Sequence, residues 1–374
     1  MLPVKLEAGQ TTELQLELAL ADEHAGWVSV DPHVHASPSL DGECTVEERL
    51  VTVVANDLMV HVATDHDHIA DYRPAAGAMG LDAWAITVPG DEISPNVRGH
   101  HNIYPVEPVA GEPNGGAPRW WEDAVSTSEL YAAWRDQIGD DAVLQVNHGR
   151  DSSGMFAAAD YDPDSGEAGD PDYFGTAFDT MEILNSKGFG AAELLLEDWC
   201  SLLDQGLRPV AVGVSDSHTR LSGPGFPRTL VKLDVDSVTD EIVPELIEAL
   251  KAGHAQVSAG PVFSFEASDG STTVGMGETI EASSLTLSIE LRAASWIPVD
   301  SVTLYGPGCQ VQETWTVDAA KHQAPVQFTT TVEIEQEEDG YWFVLAKGDG
   351  MVTLEPAWGG LPYALTNPVF VEVP

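Results

Sequence analysis

The order of apolar and polar residues divides the chain into two parts with different predicted architectures. From Trp27 to about Gly260, short apolar runs alternate with stretches of helical periodicity. The apolar runs are Trp27–Val30, Val60–Ala63, Ala83–Val88, Ala142–Val146, Met181–Leu184 and Val210–Val214. Strands that alternate with helices are typical of a parallel sheet or barrel covered by helices, so this part is predicted to be an α/β fold.

Three of the intervening segments carry helix signals. Thr45-Val46-Glu47-Glu48 is a capping box, in which the threonine and the second glutamate cap the first helical turn. Ala191–Leu203 is amphipathic, and Thr239–Lys251 is followed by a glycine stop signal at Gly253. Each of these segments is therefore predicted to be a helix.

After Gly260 the pattern changes to short strands separated by Gly, Pro and Asp turns. The strand-like segments are Leu285–Arg292, Ser301–Tyr305, Val326–Ile334, Tyr341–Ala346 and Pro368–Val373. No helical pattern remains there, which predicts an all-β domain, most simply a sandwich. Alternation in Thr12–Leu18 predicts one further strand. The predicted organisation is a strand segment (1–22), an α/β domain (23–261) and a β-sandwich domain (262–374).

Charge restricts the possible partners. Lys plus Arg number 16 and Asp plus Glu number 61 in 374 residues, which gives a net charge of −45. Such a surface repels nucleic acids and anionic lipids, so we expect neither as a partner. No apolar run is long enough to insert into a membrane, and the start has no signal peptide. The acidity, the β-rich C-terminal part and the abrupt start favour an extracytoplasmic location.

Three cysteines, Cys44, Cys200 and Cys309, are far apart and odd in number. They exclude a disulfide-rich scaffold and a zinc finger built on thiolates.

The histidines carry the candidate chemistry. Eight of the twelve lie in five short motifs, and a sixth motif supplies a carboxylate. The motifs are Asp31-Pro32-His33-Val34-His35, Thr64-Asp65-His66-Asp67-His68, Gly99-His100-His101-Asn102, Asn147-His148, Ser215-Asp216-Ser217-His218 and Gly90-Asp91-Glu92. Most of them follow the end of an apolar run, which in a (β/α) barrel is the edge that holds the active site.

The spacing within the motifs strengthens the prediction. Side chains two apart on a strand point the same way, so His33 and His35 converge, as do Asp216 and His218. Imidazole and carboxylate together are ligands for Zn²⁺, Mn²⁺ or Fe²⁺. Each motif alone is equally compatible with packing or a turn, but polar groups at six strand ends together predict a metal site.

The order of the motifs resembles that of the polymerase-and-histidinol-phosphatase (PHP) family of metal-dependent phosphoesterases. The shared order is HxH, the aspartate of Ser39-Leu40-Asp41-Gly42, TDH, a glutamate after Gly90, GHxN, NH and DxH, between about Gly26 and Pro261. The GHxN element is more similar to the carbaryl-hydrolase-like branch. The resemblance implies a distorted (β/α)7 barrel with two or three divalent transition-metal ions at one edge.

The resemblance also implies how the ligands are shared among the ions. Glu92 bridges two of the ions, and the GHHN sequence favours His100 while leaving His101 as the alternative. The implied ligands are His33, His35, Glu92 and Asp216 for the first ion, Asp41, His66 and His218 for the second, and Glu92, His100 and His148 for the third.

Asp65, Arg150 and His218 are the candidate catalytic residues. Asp65 would orient His66 or a bound water. Arg150 would either bind a phosphate or carboxylate or form a surface salt bridge. Glu182 and Asn185 resemble a family segment that lines the site. The stretch 160–166 resembles a calcium loop, with a solvated acidic loop as the alternative.

The expected reaction is hydrolysis of a small phosphomonoester or phosphodiester by a hydroxide held between metal ions. The same hydroxide can attack carbon, so a carbamate, ester or amide hydrolase is the alternative enzyme. A non-catalytic metal-binding surface module is the remaining hypothesis.

Overall fold

The computed structural model describes residues 9, 11, 13, 26–95, 97–120, 126–186, 189–235, 239–349, 352–354 and 358–374. The strand predicted at Thr12–Leu18 lies outside these residues, apart from Glu13.

The helices begin and end largely where the sequence carries helix signals. In the described part they are α1 (Val46–Ala55), α2 (Arg73–Met79), α3 (Thr127–Ile138), α4 (Met155–Ala158), α5 (Phe189–Asp204) and α6 (Val243–Lys251). The predicted capping box begins α1, because the Glu48 N–H donates to Thr45 Oγ1 (3.2 Å) and the Thr45 N–H donates to Glu48 Oε2 (3.1 Å). The predicted helices at 191–203 and 239–251 correspond to α5 and α6, the latter preceded by a 3₁₀ turn at Asp240–Ile242.

The strands fall into two groups along the chain. The first group is β1 (Trp27–Val34), β2 (Val60–Ala63), β3 (Ile86–Pro89), β4 (Asp91–Ile93), β5 (His101–Tyr104), β6 (Val143–Val146), β7 (Tyr161–Asp162), β8 (Glu167–Ala168), β9 (Thr180–Asn185), β10 (Val210–Val214), β11 (Arg228–Lys232) and β12 (Ala255–Ser258). The second group is β13 (Val262–Ser268), β14 (Thr273–Val274), β15 (Thr279–Glu281), β16 (Ser284–Arg292), β17 (Ser301–Gly306), β18 (Gln310–Thr316), β19 (Val326–Glu335), β20 (Gly340–Lys347), β21 (Val352–Leu354), β22 (Trp358–Gly360), β23 (Tyr363–Thr366) and β24 (Val369–Glu372).

All six predicted apolar runs coincide with strands, but β1 extends four residues beyond its run. The extension, residues 31–34, contains a buried aspartate whose carboxylate is hydrogen-bonded to backbone N–H groups. Asp31 Oδ1 accepts hydrogen bonds from the N–H groups of His33 (3.3 Å) and Ser215 (3.1 Å), and Oδ2 accepts from the Gly225 N–H (2.6 Å). Because Ser215 and Gly225 are distant from Asp31 in sequence, hydrophobic patterning could not detect this part of the strand.

Two sheets carry the α/β part. In one sheet, β1, β2 and β3 run parallel. On the other side of β1, β11 pairs antiparallel with β1 and β12 pairs antiparallel with β11. In the other, the order is β10-β9-β6-β5-β4, in which β6, β9 and β10 are parallel and β5 is antiparallel to both of its neighbours. The chain is thus a mixed α/β protein with many strands.

The two sheets meet at both ends. At one end only Gly90 separates β3 from β4, and a side chain there would clash, since an added Cβ would lie 2.7 Å from Val62 Cγ1. At the other end, Val34 and Ser217 form a parallel bridge, and the His35 N–H donates to the Ser217 carbonyl (3.0 Å). The carboxyl ends of the parallel strands consequently face a common edge.

The C-terminal strands form two layers over one apolar core. Phe265 and Leu287, on β13 and β16, pack in the same cluster as Val302, Val344 and Val371 on β17, β20 and β24. The first sheet also continues into this region, because β12 pairs with β23 and β23 with β20. One sheet therefore contains strands from both sides of the predicted boundary after residue 261. The domain limits stay predictions.

A disulfide adds a covalent link between the two parts of the chain. It joins Cys200 on α5 to Cys309 in the turn before β18, 109 residues later. Beside it, Asp204 Oδ1 accepts hydrogen bonds from the Tyr341 hydroxyl (2.7 Å) and the Gly308 N–H (3.0 Å). The spacing of the three cysteines does not predict this pairing. Within the described residues, no helix is both long and apolar enough to span a bilayer.

Candidate metal centre

The ends of several strands bring the predicted ligands together at the common edge. β1 supplies His33 and is followed directly by His35, β2 is followed by His66, and β4 carries Glu92. Asp41 lies in the loop between β1 and α1, and His100 lies directly before β5. His148 follows β6, and Asp216 and His218 follow β10. Groups of potential ligand atoms within 4.8 Å of one another include His33/His35/Glu92, His33/His148/Asp216, His35/His66/His218 and His66/Glu92/His100.

Three of the four ligands predicted for the first ion, His33, His35 and Glu92, form one of these groups, and Asp216 lies beside its two histidines. Glu92 Oε2 lies 3.3 Å from both His33 Nε2 and His35 Nε2. Asp216 Oδ1 lies 3.5 and 3.4 Å from the same two nitrogens. Ligand atoms placed tetrahedrally about 2.0–2.1 Å from an ion are roughly 3.3–3.4 Å apart, so these spacings fit a metal such as Zn²⁺.

Three atoms of this group are buried without a hydrogen bond to any described residue. They are His33 Nε2, His35 Nε2 and Glu92 Oε2, the last of which also lies 2.9 Å from His66 Nδ1. Buried polar atoms are almost always hydrogen-bonded in folded proteins, and three exceptions that face one another need a shared explanation. A cation at their centre would satisfy all three, so the donor set fits a divalent metal ion.

Electrostatics favours the charged form of both carboxylates. Burial alone would raise the pKa of Glu92, but His33 and His66 hold it well below the usual value. Burial likewise opposes ionisation of Asp216, and His33 and His35 lower its pKa well below the usual value. Burial lowers the pKa of His35 to about 3, which leaves its ring neutral with a lone pair for coordination.

Glu92 also reaches the ligands predicted for the third ion. Its other oxygen, Oε1, lies 3.1 Å from His100 Nδ1 and 3.2 Å from His148 Nε2. Asn147 Nδ2 donates to the same oxygen (2.9 Å). One carboxylate thus faces histidines on both sides, which is the arrangement needed to bridge two ions.

The ligands predicted for the second ion meet on the open side of the site. Asp41 Oδ2 lies 3.4 Å from His66 Nε2 and 3.3 Å from His218 Nε2. The side chain of Asp41 is 57% exposed and those of His66 and His218 are 21% and 19% exposed, whereas His33 is fully buried. Solvent therefore reaches the cluster from the Asp41 side.

Neighbouring side chains fix the orientation of the histidine rings. Glu182 Oε1 contacts His33 Nδ1 (2.5 Å), and Glu182 Oε2 accepts from the His148 N–H (2.8 Å). Ser39 Oγ contacts His35 Nδ1 (2.9 Å) and accepts from the His66 N–H (2.9 Å). These contacts leave Nε2 of His33 and His35 facing the carboxylates, as partners of metal-bound histidines typically do.

The structure distinguishes the two histidines of the GHHN motif. His100 points to Glu92, whereas His101 is buried on the other side of β5, with Nδ1 3.2 Å from the Tyr131 hydroxyl and Nε2 3.1 Å from the Arg98 carbonyl. Adjacent residues on a strand face opposite ways, which accounts for the separation. His100 is therefore the member of the pair that can serve as a ligand.

Two of the candidate catalytic residues lie outside this cluster. Asp65 Oδ1 accepts from the N–H groups of Ala36 (3.0 Å) and Ser39 (3.2 Å), and its Oδ2 accepts from the Tyr72 hydroxyl (2.7 Å). It shapes the turn that carries Asp41 rather than contacting the His66 ring.

Arg150 forms a salt bridge that is largely buried. Its Nε donates to Asp198 Oδ2 (2.7 Å), Nη2 donates to Asp198 Oδ1, and Nη2 also donates to the Tyr161 carbonyl (2.8 Å). Its side chain is 18% exposed and that of Asp198 is fully buried. This geometry is closer to the predicted salt bridge than to a phosphate contact.

The acidic stretch that resembles a calcium loop is a hairpin turn between β7 and β8. Asp162 Oδ1 accepts from the Asp164 N–H (3.1 Å), and Asp162 Oδ2 accepts from the Ser165 hydroxyl (3.0 Å). Among the described residues, none of the ligand groups includes these aspartates. The carboxylate of Asp162 is thus used to stabilise the turn.

Two proteins are among the solved structures to which the chain is similar. A two-domain protein containing a predicted PHP-like metal-dependent phosphoesterase, from Bacteroides vulgatus, has a TM-score of 0.45 and 17% identity, with 96% of this chain and 99% of that chain covered. An amidohydrolase from Chromobacterium violaceum, with bound sulfate and no metal, has a TM-score of 0.36 and 14% identity, with 59% of this chain and 96% of that chain covered. No family model matches the sequence, and no curated protein matches it.

The Bacteroides vulgatus protein is described as PHP-like, and the PHP family is the one that the order of motifs in this sequence resembles. The likeness to the carbaryl-hydrolase-like branch stays a prediction.

Proposed function

We propose that the chain is a metal-dependent hydrolase that cleaves small phosphomonoesters or phosphodiesters. The observation that carries the proposal is the convergence of His33 Nε2, His35 Nε2 and Glu92 Oε2, three buried atoms that lack hydrogen bonds among the described residues. Two or three divalent ions such as Zn²⁺, Mn²⁺ or Fe²⁺ fit the full set of histidines and carboxylates. When bound, they supply the Lewis acidity that activates water and polarises the scissile bond.

The side chains divide the remaining tasks between them. Glu92 and Asp216 hold negative charge at the centre of the cluster, which balances bound cations. Asp41 and His218 line the exposed side, where a phosphate ester can approach and where the leaving group can exchange protons with solvent. Asp65 acts indirectly, because its hydrogen bonds to Ala36 and Ser39 set the turn that presents Asp41.

The proposal includes a distorted (β/α)7 barrel as the scaffold of the site. Support comes from the two junctions between the sheets, which join β3 to β4 through Gly90 and β1 to the end of β10 through the Val34–Ser217 bridge. Counting β3 and β4 as one position, the strands β1, β2, β3/β4, β5, β6, β9 and β10 give a ring of seven. We propose residues 23–261 as this unit and 262–374 as the β-sandwich.

We also propose an extracytoplasmic location. The Cys200–Cys309 disulfide supports it, because disulfides persist mainly in oxidising compartments. The net charge of −45 suits a salty or extracellular medium.

A substrate panel tests the proposed reaction. Metal-reconstituted protein is assayed with p-nitrophenyl phosphate, bis-p-nitrophenyl phosphate, p-nitrophenyl acetate and a nitrophenyl carbamate, beside the His33→Ala and Asp216→Ala variants. We expect the phosphate esters to be hydrolysed, with loss of activity in both variants. Turnover of only the acetate or carbamate would replace the phosphoesterase with a hydrolase of carbon esters. Metal binding without turnover of any substrate would favour a non-catalytic module.

A further inference from the structure

Arg49 is a fully buried arginine on α1 that binds backbone carbonyls of the segments carrying the ligands. Its residue exposure is 0%. Nε donates to the carbonyl of His35 (2.8 Å), and Nη2 donates to the carbonyls of Ser217 (2.9 Å) and Thr219 (3.2 Å). Nη1 donates to Thr52 Oγ1 on the same helix (3.4 Å). Every nitrogen of the guanidinium group is thus engaged.

The presence of a charge at this position needs an explanation. Removing a guanidinium group from water is unfavourable, and an apolar side chain could fill a helix-to-sheet contact at lower cost. Among the described residues, Arg49 forms no ion pair, and Asp31 and Asp65 stabilise its charge only through space. Its specific contribution is therefore the set of hydrogen bonds to the three carbonyls.

Those carbonyls lie where the pairing between β1 and the end of β10 stops. The Ser217 carbonyl accepts from the His35 N–H (3.0 Å) as well as from Arg49. Just beyond, the Glu43 N–H donates to the His218 carbonyl (2.9 Å). Arg49 consequently links the segments of His35 and Ser217, which are about 180 residues apart in sequence, at a place where few backbone hydrogen bonds join them.

The contacts of Arg49 coincide with the closest approach of two ligand rings. The imidazoles of His35 and His218 stack with centroids 4.0 Å apart and an interplanar angle of 20°. His35, His66 and His218 also form one of the groups that can hold an ion. A shift of either backbone segment would change the separation of these two ligand rings, whether they hold one ion in this group or belong to the first and second ions.

We propose that Arg49 is a positioning residue of the metal centre, which sets the separation of His35 and His218 without touching ion or substrate. The inference rests on the proposed function only in requiring that these histidines bind a metal ion. An arginine is suited to the task because its planar, forked donors address several carbonyls at fixed angles, which a lysine ammonium group cannot do.

The test is a Co²⁺ titration of the full chain, followed by visible absorption, with urea unfolding of the same samples. Arg49→Met and Arg49→Lys are the test variants. The matched control is Arg228→Met, since Arg228 also donates to three carbonyls, those of Gly225 (2.7 Å), Asp57 (3.0 Å) and Asn56 (2.8 Å), none of which belongs to a ligand. We expect Arg49→Met to weaken Co²⁺ binding at one site by about 10- to 100-fold, as loss of a supporting contact does.

Arg49→Lys should weaken the same site less and alter the Co²⁺ absorption bands. Arg228→Met should lower the urea midpoint while Co²⁺ binding stays as in the wild type. Wild-type Co²⁺ affinity and spectra in the Arg49 variants would overturn the inference, and so would equal weakening in the Arg228 variant. If Arg49→Met does not fold, the spectrum of Arg49→Lys decides alone. If the wild type binds Co²⁺ but hydrolyses no phosphate ester, the proposed function is refuted and the inference about Arg49 still stands.

Discussion

The disulfide between Cys200 and Cys309 should be a major source of stability. It closes a loop of 109 residues between α5 and the turn before β18. The chain-entropy relation for a loop of that length gives a stabilisation of about 5 kcal/mol, through restriction of the unfolded chain. The hydrogen bonds of Asp204 to Tyr341 and Gly308 hold the same contact without the cross-link, so the native fold should survive its removal.

The perturbation is the Cys200→Ser/Cys309→Ser double variant, compared with the wild type in guanidinium chloride at fixed salt. We expect the free energy of unfolding to fall by roughly 3–5 kcal/mol, with the fold unchanged by circular dichroism. The reduced wild type should unfold at the same guanidinium chloride concentration as the double variant. Denatured but unreduced wild type should expose one thiol, that of Cys44, because the other two are cross-linked. Equal unfolding midpoints, or three titratable thiols without reductant, would refute the reasoning.

Three further predictions follow from charge and burial. The net charge of −45 should make the melting temperature rise with KCl as repulsion is screened, and a salt-independent melting temperature would contradict this. Burial opposes protonation of His66, but Glu92 and Asp41 raise its pKa to about 9 from 6.5. In chelator-treated protein, the stabilisation from protonated His66 should be complete below pH 6.5 and lost as the pH rises through 9. Urea unfolding at pH 6 and at pH 9.5 measures the difference. Equal free energies of unfolding at the two pH values would argue against it. Arg150→Met should leave the buried Asp198 unpaired and lower the free energy of unfolding by about 3–5 kcal/mol, with KM unchanged. A raised KM at unchanged stability would instead make Arg150 a substrate contact.

The sequence was informative about the site because the relevant signals are local. HxH places its two side chains on one face at the end of β1. The DxH pair also converges, with Asp216 Oδ1 3.3 Å from His218 Nδ1, but it lies in the loop after β10, where Asp216 has a φ of 48° and strand alternation does not apply. The six apolar runs likewise correspond to β1, β2, β3, β6, β9 and β10, since strands buried on both faces read as continuous apolar segments. The order of the strand ends then brings His33 and Glu92 within 3.3 Å.

Features that depend on distant partners were not predictable from the sequence. The pairing of β12 with β23 joins segments about 110 residues apart, and β5 runs antiparallel between two neighbours without a distinctive pattern of its own. Ser39 and Arg49 lie in an ordinary turn and an ordinary helix, and only their contacts with ligand segments mark them. Arg150 lies two residues after the candidate ligand His148, yet its partner Asp198 lies 48 residues away.

The central claim is that the histidine and carboxylate cluster holds divalent metal ions. Elemental analysis of purified protein after reconstitution with Zn²⁺ or Mn²⁺ tests it most directly, with His33→Ala and Asp216→Ala as variants and His68→Ala as a control from the same motif set. The account predicts two or three ions per chain in the wild type and in His68→Ala, and fewer in the other variants. A wild type that binds no metal under these conditions would contradict the account.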